Sequence, residues 1–155
     1  MEPRLDAYKR VPGALPAMRG LENLVRESGL EAQLLELVRI RVSQMNGCAY
    51  CLDMHSKDAR AAGETEQRLH TLTAWRETAF FTDREQAALE WTESVTDVAH
   101  SHVPDAVYEL VRKHFTEAEL VNLTMAIVAI NGWNRVVRAF GPVPGKYKVP
   151  EKVAV

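Results

Sequence analysis

Apolar positions recur at three- and four-residue intervals along most of this chain, and segments of strict apolar–polar alternation are absent. That period predicts helices, and the punctuation divides them. A helix from about Leu15 ends at Ser28-Gly29, and a second from about Glu31 to Met45 carries Leu34, Leu35, Leu37, Val38, Ile40 and Val42. Asn46-Gly47 reads as a stop, followed by a new helix that runs to Gly63. Thr65 to about Trp75 reads as a short helix or two turns. Thr82-Asp83-Arg84-Glu85 and Thr116-Glu117-Ala118-Glu119 are capping boxes, each opening a helix. Between them Pro104 suits a first helical residue, for a short helix to about His114. The last helix is apolar nearly all round from Leu120 to Ile130, which predicts the buried central helix. Gly141-Pro142 ends it. The remainder, 141–155, is too punctuated by Pro144, Gly145 and Pro150 to be regular, and is expected to lie over a neighbouring subunit. Hairpin turns and regular strand spacing are missing, so the chain reads as all-α.

Length and composition narrow the function without naming it. The 155 residues are expected to form one domain, 1–155, and a hydrophobic content of 46% supports a real core. Nineteen basic and twenty-one acidic side chains, with no block of like charge, point to neither nucleic acid nor an anionic membrane. The longest unbroken apolar run, Met125 to Ile130, is too short to span a bilayer. The segment MEPRLDAYKR lacks the apolar core of a signal peptide, so a cytoplasmic location is expected. In that compartment a close cysteine pair suits catalysis, redox chemistry or metal binding better than a structural staple.

The only two cysteines, Cys48 and Cys51, stand at C-x-x-C spacing just after Asn46-Gly47. Both are therefore expected in or just before the first turn of the new helix. Unpaired backbone N–H groups and the positive end of the helix dipole favour a thiolate there. With Cys51 at zero and about 100° per residue, Ala62 falls near 20°, His55 near 40°, Cys48 near 60°, Ala59 near 80° and Leu52 near 100°. Asp53, Lys57 and Arg60 fall on the opposite side. One face thus carries both sulfurs and an imidazole, with small alanines that leave room for a helix or a substrate.

Several chemistries use a C-x-x-C pair. Haem attachment needs histidine directly after the second cysteine, and here that residue is Leu52. A thioredoxin-like site needs a βαβ context that is missing. A structural zinc site needs four ligands; Cys48, Cys51 and His55 supply three, leaving Glu36, His70, His100, His102 or His114 to complete it. Thiol redox chemistry remains: a thiolate attacks an electrophile, the second thiol resolves the product as a disulfide, and an imidazole moves the proton.

The pattern E-x11-C-x-x-C-x3-H, present as Glu36, Cys48, Cys51 and His55, resembles the alkylhydroperoxidase AhpD-like group of the carboxymuconolactone decarboxylase superfamily. Weaker likeness extends through Thr82-Asp83-Arg84-Glu85 and the INGWNR segment at 130–135 to the short, single-domain, peroxidase-related members. The resemblance implies an all-α orthogonal bundle of about six to eight helices, a trimeric or hexameric homo-oligomer, and hydroperoxide reduction without metal, haem or other cofactor. It implies Cys51 as the attacking sulfur and Cys48 as proton donor and resolving partner. His55 and Glu36 would form the proton relay, and an unidentified thiol or lipoyl-type compound would be the reductant. Tyr50 departs from the pattern, standing where the best-characterised members carry a histidine. Members that decarboxylate a muconolactone generally lack the cysteine pair. The competing readings are a non-catalytic redox-sensing or zinc-binding helical oligomer and a decarboxylase.

Each of these residues also has a plainer reading. The cysteines suit ordinary buried thiols, and His55 alone suits a satisfied core histidine. Glu36 falls outside the main apolar arc of its helix, where it suits a surface pair with Arg39. Arg41 falls inside that arc, as a snorkelling side chain or a paired charge at a subunit contact. Trp75, Trp91 and Trp133 read as core or interface aromatics. Asn131 and Asn134 read as hydrogen-bonding partners of a neighbouring helix before pocket residues, and Gly132 between them marks close helix packing.

Overall fold

The computed structural model describes residues 2–150, and all the regular structure among them is helical. The elements are α1 (Ala7–Arg10), α2 (Ala14–Arg26), α3 (Ala32–Met45), α4 (Ala49–Ala61), α5 (Glu66–Thr71, continued by a 3-10 segment, Leu72–Glu77), α6 (Asp83–Thr96), α7 (Val98–Ser101), α8 (Asp105–Arg112) and α9 (Glu117–Phe140). Both capping boxes form: Thr82 and Glu85 close the start of α6, and Thr116 and Glu119 the start of α9. Pro104 is the N-cap of α8 and not its first helical residue; its ψ of 144° is extended, so the helix begins at Asp105.

The helix at the centre is α3. It packs against α4, α6 and α9 and feeds two apolar clusters. Leu34, Leu35, Val38 and Val42 meet α2, α6, α8 and α9 on one side, while Leu37 and Ile40 meet α4, α5, the 3-10 segment and α6 on the other. Burial on two sides explains an apolar content wider than one stripe. Leu37 is fully buried, so Leu37→Ala should destabilise by about 2–5 kcal/mol.

The expectation for α9 needs correcting. Its inner stripe, Leu120, Leu123, Ile127 and Ile130, is buried, but Val121 and Val128 are 61% and 47% exposed. Length and composition alone would let this helix cross a bilayer. Here its inner stripe serves as one wall of the bundle, against α2, α3 and α6. Gly132 marks a close approach, as expected: a Cβ there would meet the Met18 methyl of α2 at 2.8 Å.

Two further expectations change. Arg41 is paired inside the chain, donating to Glu93 at 2.6 Å and to Gln44 at 3.1 Å. The segment after Gly141 lies over α4 of its own chain: Gly145 N donates to Asp53 at 2.9 Å, and Tyr147 Oη donates to Asp58 at 2.8 Å. Residues 151–155 of the expected tail lie outside the described residues.

Candidate active site

The loop Asn46-Gly47 sets where the cysteine helix begins. Gly47 has φ of 62°, a left-handed conformation that suits glycine, and a Cβ there would meet Arg138 Nη1 at 2.7 Å. Arg138 donates to the carbonyls of Asn46 and Gly47. The Asn46 amide donates to Asn131 at 2.9 Å and to Asn134 at 3.0 Å, and Asn134 donates to Ser43 Oγ at 3.1 Å. The polar residues of α9 therefore clamp the end of α3 and the start of α4, the role expected of the two asparagines.

Cys48 is the N-cap of α4 and Cys51 the third residue of the helix, as the spacing predicts. The two sulfurs are joined in a disulfide with Cα atoms 5.4 Å apart, and both residues are buried. Their surroundings differ. Cys51 lines a cavity of about 660 Å3, and Cys48 does not. Walls of this cavity include Leu15 of α2, Met54 of α4, and Ile130, Trp133 and Phe140 of α9. Such a space suits a compact, mainly apolar ligand.

His55 and Glu36 also line the cavity. His55 Nδ1 lies 2.9 Å from Glu36 Oε2, which leaves Nε2 as the ring nitrogen able to exchange a proton with other groups. Glu36 accepts from Arg39 at 2.6 Å, and Arg39 also donates to Glu22. The plain reading of Glu36 as Arg39's partner holds for the pairing but not for the surface: Arg39 is buried, both side chains line the cavity, and the second Glu36 oxygen serves His55. Burial by itself would raise the Glu36 carboxyl, but the hydrogen bond and charge of His55, with the charge and hydrogen bond of Arg39, outweigh it and hold the carboxyl below the usual range.

All four residues singled out in the sequence come together here. Asp58 and Tyr147 were missed. Asp58 falls near 340° on the helical wheel that places Cys51 at zero, so the face did signal it. Tyr147 arrives from the irregular tail, where no periodicity exists to point at it. Tyr50, at the departure from the family pattern, lines the same cavity. Ala59 is buried on this face, whereas Ala62 is exposed because the helix has ended at its C-cap.

One nitrogen of His55 and one carboxylate oxygen each of Glu36 and Asp58 lie within 4.8 Å of one another, a grouping able to hold a cation. Arg39 and His55 already engage Glu36, and Tyr147 engages Asp58. Zinc held by the cysteines is a different arrangement, and sulfurs joined to each other offer no thiolate. His70, His100 and His102 are exposed, and none of these three, nor His114, lines the cavity.

Residues 12–94 match the model of the carboxymuconolactone decarboxylase family. The uncharacterized protein YdfG of Bacillus subtilis is 44% identical over 141 residues, covering 91% of this chain and 96% of that protein. A crystal structure from Agrobacterium tumefaciens, a protein of unknown function named as a candidate AhpD antioxidant defence protein, superposes with a TM-score of 0.88 at 41% identity, covering 92% of this chain and 99% of that one. An uncharacterized peroxidase-related protein from Silicibacter shares the fold, with a TM-score of 0.79 at 24% identity, covering 90% of this chain and 74% of that one.

Proposed function

The chain belongs to the carboxymuconolactone decarboxylase family and to its AhpD-like members, and on that premise we propose that it is a thiol-dependent peroxidase acting on organic hydroperoxides. The observation that carries the reading is the asymmetry of the sulfurs: Cys51 faces a mainly apolar cavity beside the His55–Glu36 pair, and Cys48, bonded to Cys51, lies off it. A decarboxylation has no use for a disulfide at the cavity wall; a redox reaction does.

The steps balance as follows. In the reduced protein the Cys51 thiolate, favoured by the helix start, attacks the terminal oxygen of ROOH; the O–O bond breaks, and ROH leaves with a proton supplied through His55. Cys51 is then a sulfenic acid. The Cys48 thiol attacks its sulfur, forming the disulfide seen here and releasing water. An external dithiol, of thiol or lipoyl type, reduces that bond and leaves as its own disulfide. Glu36, kept ionised by its partners, accepts from the imidazole Nδ1–H, so that Nε2 is the nitrogen that takes up the thiol proton and passes it to the departing alkoxide. No cofactor takes part in this scheme.

The test is consumption of an organic hydroperoxide by the purified protein with a dithiol reductant. Turnover is expected, falling to background in Cys51→Ser. Hydroperoxide left unconsumed by the reduced parent protein would end the proposal. Assembly into a trimer or hexamer belongs to the same reading. Its support is the exposure of Val121 and Val128, seven residues apart on α9, and of Leu24 on α2, and light scattering that reports a monomer at micromolar concentration would remove it.

A further inference from the structure

The segment after Gly141 has no helix or strand in its described part, yet it is fastened to the helix that carries the chemistry. Gly145 N donates to Asp53 at 2.9 Å, Lys57 Nζ donates to the Tyr147 carbonyl at 3.1 Å, and the Tyr147 hydroxyl donates to Asp58 at 2.8 Å. All three partners lie on α4, between Cys51 and the helix end. Gly141, Pro142 and Tyr147 line the same cavity as Cys51, together with Trp133 and Phe140 of α9. Tyr147 is half-buried, as are Val143, Pro144 and Val149, while Lys146 and Lys148 beside it are exposed; of these residues only Tyr147 lines the cavity. Burial first, then the hydrogen bond to Asp58 and the charges of Asp58 and Glu36, push its phenol well above the ordinary tyrosine range. The hydroxyl therefore stays a donor throughout the pH range of thiol chemistry.

We infer that Tyr147 is the specificity-determining residue of this cavity: its ring walls off the space beside Cys51, its bond to Asp58 latches the segment shut, and together they limit the bulk of electrophile that reaches the sulfur. The inference deepens the proposed reaction, since it makes compact hydroperoxides the preferred class, and it rests on Cys51 being the attacking sulfur. A segment without helix or strand, fastened to α4 by three hydrogen bonds, opens more readily than the helices beneath it. Removal of the hydroxyl alone keeps the wall and loosens the latch; removal of the ring takes both.

The experiment uses the reduced full chain and two alkylating agents of the same chemistry but different bulk, iodoacetamide and a fluorescein-linked iodoacetamide, with modification of Cys51 followed by peptide mass spectrometry. Tyr147→Phe should raise the rate ratio of bulky to small reagent about three- to tenfold, the change in open population expected from losing one hydrogen bond. Tyr147→Ala should raise it further. The iodoacetamide rate should stay within about twofold of the parent, because a small reagent already enters. An unchanged ratio in both variants overturns the inference, as does an equal rise in both rates, which would mean general exposure without size selection. Alkylation needs no peroxidase activity: a raised ratio in a protein that consumes no hydroperoxide would leave Tyr147 as the gate of a different thiol reaction.

Discussion

Helix α3 has a cluster of paired charges on each of two sides, and they are built for opposite purposes. On one side Glu93 accepts from Arg41 at 2.6 Å, from Trp75 Nε1 at 2.9 Å and from Arg76 at 2.6 Å. Every oxygen is taken, and none of these residues lines the cavity. On the other side Glu36, Arg39 and Glu22 form an equally dense group, but it ends on an imidazole with one nitrogen uncommitted to Glu36, at a cavity that also holds a sulfur. Buried charge pairs of themselves do not mark a reactive site. What separates the two clusters is spare capacity for a proton and access to a space that a substrate can enter.

The largest expected effect breaks the saturated cluster. Glu93→Ala leaves Arg41 and Trp75 without their carboxylate partner and should destabilise the fold by about 2–3 kcal/mol in chemical denaturation, with little change in the rate per folded molecule. The fold depresses the Glu93 carboxyl: burial opposes this, and hydrogen bonds from Trp75, Arg76 and Arg41 outweigh it. A depressed carboxyl contributes stability above the unfolded value of about 4.3 and loses it as pH falls through the folded one. The gap between parent and variant should therefore be full at neutral pH and close under acid conditions.

The second effect concerns the reactive cluster. His55→Gln keeps a polar side chain of similar reach but cannot exchange a proton, so hydroperoxide turnover should fall about 100-fold. Its stability should change by less than about 1 kcal/mol, the reverse of the Glu93 pattern. The pH profile of Cys51 alkylation in the variant should also move to higher pH. A profile that stays in place would make His55 structural and send the search for the proton route to Tyr50.

Smaller still is Glu36→Gln, which leaves Arg39 with Glu22 and His55 with an amide oxygen. About a tenfold loss of turnover is expected, because the residue acts through the orientation of the imidazole. Glu36 shares the depressed carboxyl, so its contribution to stability also disappears as pH falls. A loss as large as that of His55→Gln would mean that Glu36 itself carries the proton in the rate-limiting step.

Much of this arrangement was legible in the chain because its causes are local. Capping boxes, the Asn46-Gly47 stop and the C-x-x-C-x3-H spacing each depend on a few neighbouring residues, and the structure places them where those rules do. The misreadings share a different cause. Burial of α9 depends on how many neighbours surround it, which periodicity does not report, and Val121 and Val128 turned out exposed. Arg41 finds Glu93 fifty-two residues away, and Tyr147 finds Asp58 eighty-nine residues away; neither pairing has a local signature. Asp53 and Lys57, on the side of α4 away from the sulfurs, proved to be the anchors of the tail.

The division of labour between the two sulfurs is the central claim, and trapping the intermediate tests it most directly. Cys48→Ser removes the resolving thiol, so one equivalent of organic hydroperoxide should leave a sulfenic acid on Cys51 that a dimedone-type probe labels stoichiometrically. Multiple turnover with a dithiol reductant should fall well below that of the parent. A Cys48→Ser protein that turns over like the parent and yields no labelled Cys51 would contradict the assignment.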